Sequence, residues 1–296
     1  MPRPWPVEGI DATTSATVAA PKILAVRLAE LAHHRDRTLH QRDAESVHDL
    51  RVATRRLRAA LRLFGGALGK ATPAVKALGD ALGRVRDLDV QIEWLERARE
   101  RVAVDERPGI DWLLGDRRAA LPPLELAMQN AIRRFHDHLE PVLTLHLHVA
   151  GFAKPLGARS VRKRIARRLR KLGESIDELT AVEDARAVHA LRVAGKKARY
   201  DLELVDGIYG AAASTALERL KTLQEAIGEL HDRDVRLTLL PEWVARSHRL
   251  EQPGVVRLLK DTLDERKRLG GELAEEIEAW RADDEARFHA KAIIAG

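Results

Sequence analysis

A twelve-residue pattern occurs twice in this chain: Val47 to Arg58 reads VHDLRVATRRLR, and Val188 to Arg199, 141 residues later, reads VHALRVAGKKAR. Any fold must bury the apolar side of both copies and find a use for the same ladder of cations in each. Wound as a helix at about 100° per residue, His48, Arg51, Arg55, Arg58 and Arg62 fall within an arc of roughly 80°. Leu50, Ala53, Leu57, Leu61 and Phe64 gather on nearly the opposite side, giving a core face and a cationic face on one segment. The second copy sets His189, Arg192, Lys196 and Arg199 against Leu191, Ala194, Ala198, Leu202 and Val205. One correspondence fails, because Glu203 stands where Arg62 stood.

The repetition continues on both sides. At an offset of 145, Leu78 to Val90 (LGDALGRVRDLDV) aligns with Leu223 to Val235 (LQEAIGELHDRDV), and Pro108-Gly109 aligns with Pro253-Gly254. Upstream, Leu24, Arg27, Leu28 and Leu31 match Ile165, Arg168, Leu169 and Leu172. A unit of roughly 140 residues is far longer than a solenoid repeat of about 20 to 50, so the pattern reads as an internal duplication. The spacing predicts helices near 17–41, 45–68, 72–104, 109–148, 158–180, 184–208, 212–246 and 254–290, with no sustained strand alternation. Gly65-Gly66, Arg107-Pro108-Gly109 and the Gly151, Pro155, Gly157 stretch punctuate them, and Pro122-Pro123 is expected to split or kink the fourth. The expected fold is all-α, with two pseudo-symmetric four-helix bundles joined near residues 150–157.

With 296 residues and 45% hydrophobic content the chain can bury a sizeable core. The net charge of +6 and a pI near 9.7 are a modest excess of cation that matters where it is concentrated, as in the stripes and in the tract Arg159 to Lys171 (RSVRKRIARRLRK). Aromatics are only 4%, leaving few surfaces on which bases could stack. No stretch of 18 apolar residues occurs, and the opening MPRPWPVEG lacks the apolar run of a secretion signal, so a soluble cytoplasmic protein is expected. The absence of cysteine excludes disulfides and thiol chemistry.

His48-Asp49-Leu50-Arg51-Val52 and His189-Ala190-Leu191-Arg192-Val193 are each followed by spaced cations. Arg86-Asp87-Leu88-Asp89-Val90 or His231-Asp232-Arg233-Asp234-Val235 then follows. This combination, once per half, resembles the CHAD family, the conserved histidine α-helical domains, over about residues 17–290. The halves would be 17–150 and 158–290, with 1–16 as an N-terminal extension. The resemblance implies two helical bundles enclosing a basic groove or channel that binds inorganic polyphosphate, with association to polyphosphate granules or to polyphosphate-metabolising enzymes. The alternating Glu-x-Glu-x-Lys strand of the triphosphate-cleaving tunnel domain often fused to such proteins is absent.

The expected polyphosphate ligands are His48, Arg51, Arg55, Arg58, His189, Arg192, Lys196 and Arg199, with Arg27, Arg164, Arg168 and Lys171 as a second tier. Arginine offers a planar fork to phosphate oxygens and lysine a point charge. A protonated histidine would make binding strengthen as pH falls. Asp87/Asp89 and Asp232/Asp234, at i and i+2, point about 160° apart on a helix and cannot clamp one metal ion, so a structural role in holding cations is expected. His33-His34, His136-x-His138 and His146-x-His148 lack the spacing of a zinc site. Neither cofactor nor metal is expected, and membrane binding is disfavoured because the aliphatic residues of the basic tract are needed for the bundle. Two competing functions remain: nucleic-acid backbone binding without sequence preference, for which the stripes lack a stacking aromatic, and a phosphate-polymer-processing enzyme, for which no nucleophile or carboxylate cluster is evident.

Overall fold

The computed structural model describes residues 3–11, 13–149, 158–206 and 211–282, and within them the chain is helical with no strand. The helices are α1 (Ala16–His40), α2 (Ala44–Phe64), α3 (Thr72–Arg101), α4 (Arg107–Ala119), α5 (Leu121–Arg134), α6 (Glu140–Val149), α7 (Ala158–Asp177), α8 (Ala185–Glu203), α9 (Ala211–Arg246) and α10 (Gln252–Ala282). Short 3₁₀ turns occupy Gly66–Ala71 and Val104–Glu106, and a π turn at Phe135–Leu139 joins α5 to α6.

Matching caps start the two histidine-led helices. Asp43 accepts a hydrogen bond from the Ser46 amide at 2.6 Å, and the Ser46 hydroxyl receives the Asp43 amide in return. Asp184, the residue 141 places later, accepts from the amides of Arg186 and Ala187. Each cap satisfies backbone donors that a helix N-terminus otherwise leaves unpaired, and so fixes where the following stripe begins.

The fourth expected helix, 109–148, is divided into α4, α5, the π turn and α6. The break falls at Ala120, just before Pro122-Pro123, which then occupy the first turn of α5 where a missing N–H costs nothing. The second helix stops at Phe64, four residues short of the expected end, because Gly65 opens the 3₁₀ turn. The last is described to Ala282; the remainder of the expected 254–290 span lies outside the described residues.

Packing follows chain order in each half: α1 on α2 and α2 on α3, then α7 on α8 and α8 on α9, with α9 on α10. The halves meet where α2 packs on α8 and where α4 packs on α10. One continuous apolar cluster runs through both, from Ile23, Leu31, Leu50 and Leu57 to Ile165, Leu191, Leu202 and Leu273. A second, smaller cluster lies at the far ends of α3 and α9, where Trp94, Leu95, Ile110 and Leu113 meet Leu240, Trp243, Val255 and Leu258. The Trp94 and Trp243 rings are 6.4 Å apart, with Arg236 4.5 Å above Trp94 and Arg117 5.2 Å above Trp243.

The repeated Pro-Gly has a structural reason. A Cβ placed on Gly109 would lie 2.0 Å from the Glu251 carbonyl oxygen, and one on Gly254 would lie 1.9 Å from that of Glu106. The first turns of α4 and α10 therefore touch backbone to backbone, which only glycine permits. Gly109→Ala and Gly254→Ala should each lower unfolding stability in urea by about 1–3 kcal/mol through overpacking. Gly115→Ala, where a Cβ meets nothing within 4 Å, should be neutral or stabilising by up to about 1 kcal/mol.

Candidate functional site

Two cationic residues expected on the surface are turned inward. Arg27 (3% exposed) donates from Nη1 to Glu30 Oε2 at 2.6 Å, and Arg199 (9% exposed) donates from Nε to Glu203 Oε1 at 2.8 Å and from Nη1 to Gln224 Oε1 at 3.2 Å. Between them lies Arg56, 1% exposed, donating from Nη1 to Glu30 Oε1 at 2.8 Å and from Nε to Glu203 Oε2 at 3.1 Å. Arg27 and Arg199 are therefore corrected from groove ligands to members of an interior ion network. Each carboxylate bridges two guanidiniums, the arrangement that lets buried charge exist in a core at all. Arg56 escapes a reading by stripes because it sits between Arg55 and Leu57. The available signals were Glu30 within the apolar repeat of α1 and Glu203 at the broken correspondence.

Outside this network, four residues from the two histidine-led helices come together. Arg51 and Arg55 of α2 face Arg192 and Lys196 of α8, each close enough to shift its neighbours' titration. Burial, reinforced by Arg192, Arg55 and Arg51, lowers the Lys196 amine to about 7, and burial with Arg55 lowers Arg51 to about 10, which leaves it charged. Asp87 of α3 and Asp232 of α9 are the acidic neighbours. None of the four cations makes an ion pair among the described residues, and the Nε groups of Arg51 and Arg192 are buried without a partner. Arg51 lies across Gly83 of α3, where a Cβ would come within 3.4 Å of its Nε.

His48 flanks this group; burial and the nearby Arg86 hold it below the usual histidine range. His189 is exposed, its ring 5.5 Å from that of His231 on α9. Burial, then Arg192 and His189, lower His231 to about 4. His231, which aligns with Arg86, is a further site neighbour that the stripes did not single out. Of the acidic pairs, Asp89 receives Arg42 and Asp234 receives Arg266, both at 3.0 Å, while Asp87 and Asp232 turn to the cations. No cluster of His, Asp and Glu able to hold a metal ion occurs among the described residues.

Arg58, Arg164, Arg168 and Lys171 lie elsewhere, in a second group. Arg168, Arg62 and Arg164 act on Asp201, and Arg168, Arg62, Lys171 and Arg58 on Lys197: Arg168 Nε donates to Asp201 Oδ2 at 3.2 Å, and Arg164 donates to the Arg62 carbonyl. A cavity of about 150 Å³ opens here, lined by Arg62, Leu63, Arg164, Arg167, Arg168 and Asp201. Lys197, adjacent to Lys196 but outside its stripe, is the residue sequence reasoning missed. It corresponds to Arg56 at the 141-residue offset. The eight residues expected from the stripes and the four of the second tier thus divide between two clusters and an interior network. No described helix is long and apolar enough to cross a membrane.

The model of the CHAD domain family matches residues 22–241. Among solved structures, the CHAD domain from the plant Ricinus communis is 24% identical, covering 98% of this chain and 96% of its own, with a TM-score of 0.64. PptA from Streptomyces chartreusis is 15% identical, covering 90% and 100%, with a TM-score of 0.65. At these identities the likeness is one of fold. No curated protein matches the chain by sequence.

Removing Arg56 leaves Glu30 and Glu203 each short of a partner. Arg56→Ala should therefore cost about 3–5 kcal/mol in urea unfolding, whereas Arg55→Ala, one residue away on the open face, should change stability by about 0.5 kcal/mol or less. Equal losses would place Arg56 outside any stabilising network.

Proposed function

The chain belongs to the CHAD domain family, and on that premise we propose that it binds inorganic polyphosphate through Arg51, Arg55, Arg192 and Lys196. His48 and His189 stand at the start of this track, and Arg58, with the cluster around Arg168 and Lys171, lies beyond its other end as a group of its own. The observation that carries the reading is that Arg51, Arg55, Arg192 and Lys196, drawn from two helices, converge without an ion-pair partner among the described residues. Crowding like charges raises the energy of the empty site, and a polyanion relieves that cost. Guanidiniums with unpaired buried donors are matched to phosphate oxygens, which accept strong charge-assisted bonds.

From His48 to Arg62, α2 runs about 21 Å at 1.5 Å per residue, a length suited to an extended chain rather than a single phosphate. Nucleic acid would find the same charges. The tryptophans Trp94 and Trp243, however, are buried in the second apolar cluster, and Tyr200 beside the site is 7% exposed, so among the described residues these rings give the cations no base-stacking platform. The site is a binder rather than an enzyme in this reading: its cations would grip every phosphate alike, which gives affinity without selective stabilisation of a transition state. Attachment to polyphosphate granules in the cytoplasm follows as the cellular consequence.

Titration calorimetry at near-physiological salt should show tight binding of long-chain polyphosphate and weaker binding of a DNA oligomer and of orthophosphate. Arg51→Ala/Arg192→Ala should weaken polyphosphate binding at least about tenfold, equivalent to about 1.4 kcal/mol. The recovered polymer should keep its length on a gel. Equal affinity for DNA, or indifference to the double substitution, would overturn the assignment.

The pH dependence should come from Lys196 more than from the histidines. The free amine titrates at about 7, and bound phosphate raises it towards its ordinary value, so the complex holds a proton that the empty site has partly lost. Affinity should therefore fall as pH rises above 7. His48, held below its usual range, should contribute only in more acidic solution. Lys196→Arg should flatten the profile between pH 7 and 9; an unchanged slope would assign the dependence to another group.

A further inference from the structure

The two halves handle one cluster of positions in opposite ways. In the first, Arg27 and Arg56, with Arg199 reaching across from α8, surround Glu30 and Glu203, and every member is ion-paired. At the 141-residue offset their counterparts are Arg168, Lys197 and Arg58, and the positions of the two carboxylates are taken by Lys171 and Arg62. The structure brings these five together: Arg168, Arg62, Lys171 and Arg58 all act on Lys197 and, after its burial, hold its amine below the usual lysine range. Three cations around two carboxylates thus become five cations, with Asp201 as the acidic neighbour that receives Arg168.

From this difference we infer that Arg58, Arg62, Arg168, Lys171 and Lys197 form a separate binding site for a phosphoryl dianion, which takes the place that Glu30 and Glu203 fill in the other half. Two features besides charge support an external ligand. The Nε groups of Arg58 and Arg62 are buried and unpartnered, and the 150 Å³ cavity beside Asp201 gives an anion access to Arg62 and Arg168. The other half shows that these positions can be satisfied from within; here Asp201 supplies one counter-charge, and what remains is left for an anion from solution. Because Arg58 lies one turn beyond Arg55, the site can also receive one phosphoryl group of a longer chain. It does not depend on the polyphosphate reading, since a short phosphate ester or pyrophosphate carries the same group.

The test uses inorganic pyrophosphate as the probe, titrated calorimetrically into the full chain. Arg62→Glu/Lys171→Glu restores the two carboxylates of the other half. It should weaken pyrophosphate binding about tenfold or more and raise the melting temperature of the free protein. Arg62→Gln/Lys171→Gln, which removes charge without adding a carboxylate, should weaken binding as well and serves if the glutamate pair fails to fold. In Arg51→Ala/Arg192→Ala, long-chain polyphosphate binding should weaken, while a pyrophosphate-binding event sensitive to positions 62 and 171 should remain. Pyrophosphate binding unaffected by either substitution at 62 and 171, or lost with Arg51 and Arg192, would overturn the separate site. Failure of the unsubstituted chain to bind long-chain polyphosphate, with pyrophosphate still bound, would instead count against the polyphosphate function alone.

Discussion

Arg56 carries a full positive charge into a nearly dry interior, and the arrangement around it follows from the need to neutralise that charge. Glu30 reaches it from α1 and Glu203 from α8, so one side chain fixes the rotation of three helices drawn from both halves. With α2 and α8 held in that rotation, Leu50, Leu57 and Leu61 must face the shared core, as must Leu191 and Leu202. Arg51, Arg55, Arg192 and Lys196 are then presented together on the other side. A hydrophobic replacement could pack as well or better; what the ion network adds is a register between two helices that apolar contacts alone define loosely.

The same helices supply the stabilising contacts and the destabilising ones. Their inner faces belong to a continuous apolar cluster shared by both halves. Their outer faces crowd cations against one another, with Asp87 and Asp232 as partial relief. A protein tuned only for stability would disperse these charges or pair them, as it does along α10, where Arg257 meets Asp261 and Arg268 meets Glu272. The contrast between paired arginines elsewhere and unpaired ones at the α2–α8 crossing is the trade of stability for binding that the proposed site would require.

Much of this was legible in the sequence. Helical periodicity placed α2 and α8 to within a few residues, because amphipathic spacing reports which side faces a core whatever lies opposite. The repeated Pro-Gly marked a real backbone contact, though nothing in the sequence could say that its two copies touch each other. Periodicity was least informative about partners. Arg199 keeps the spacing of its stripe, and Arg27 its match with Arg168, yet they point to Glu203 and Glu30, since a helical wheel gives direction from one axis and is silent about what another helix brings. Arg56 and Lys197 were hidden for the converse reason: both lie off the stripes, and their roles exist only after α1, α2, α7 and α8 assemble. The division of the fourth helix at Ala120 was signalled by Pro122-Pro123, whereas the π turn at Phe135–Leu139 has no comparable mark.

The contact of Gly109 and Gly254 bears on how a duplicated chain can drift apart. Where the halves exchange charge, a lost carboxylate on one side can be answered by a different residue or by an ion from solution, and the copies have diverged: Glu30 against Lys171, Arg62 against Glu203. Where they meet backbone to backbone there is no side chain to adjust, and a Cβ added to Gly109 lands on the Glu251 carbonyl, one added to Gly254 on that of Glu106. Each glycine is thereby the other's constraint. The two copies of this dipeptide are held alike by a single contact, whereas the charged positions of the repeat differ between its copies.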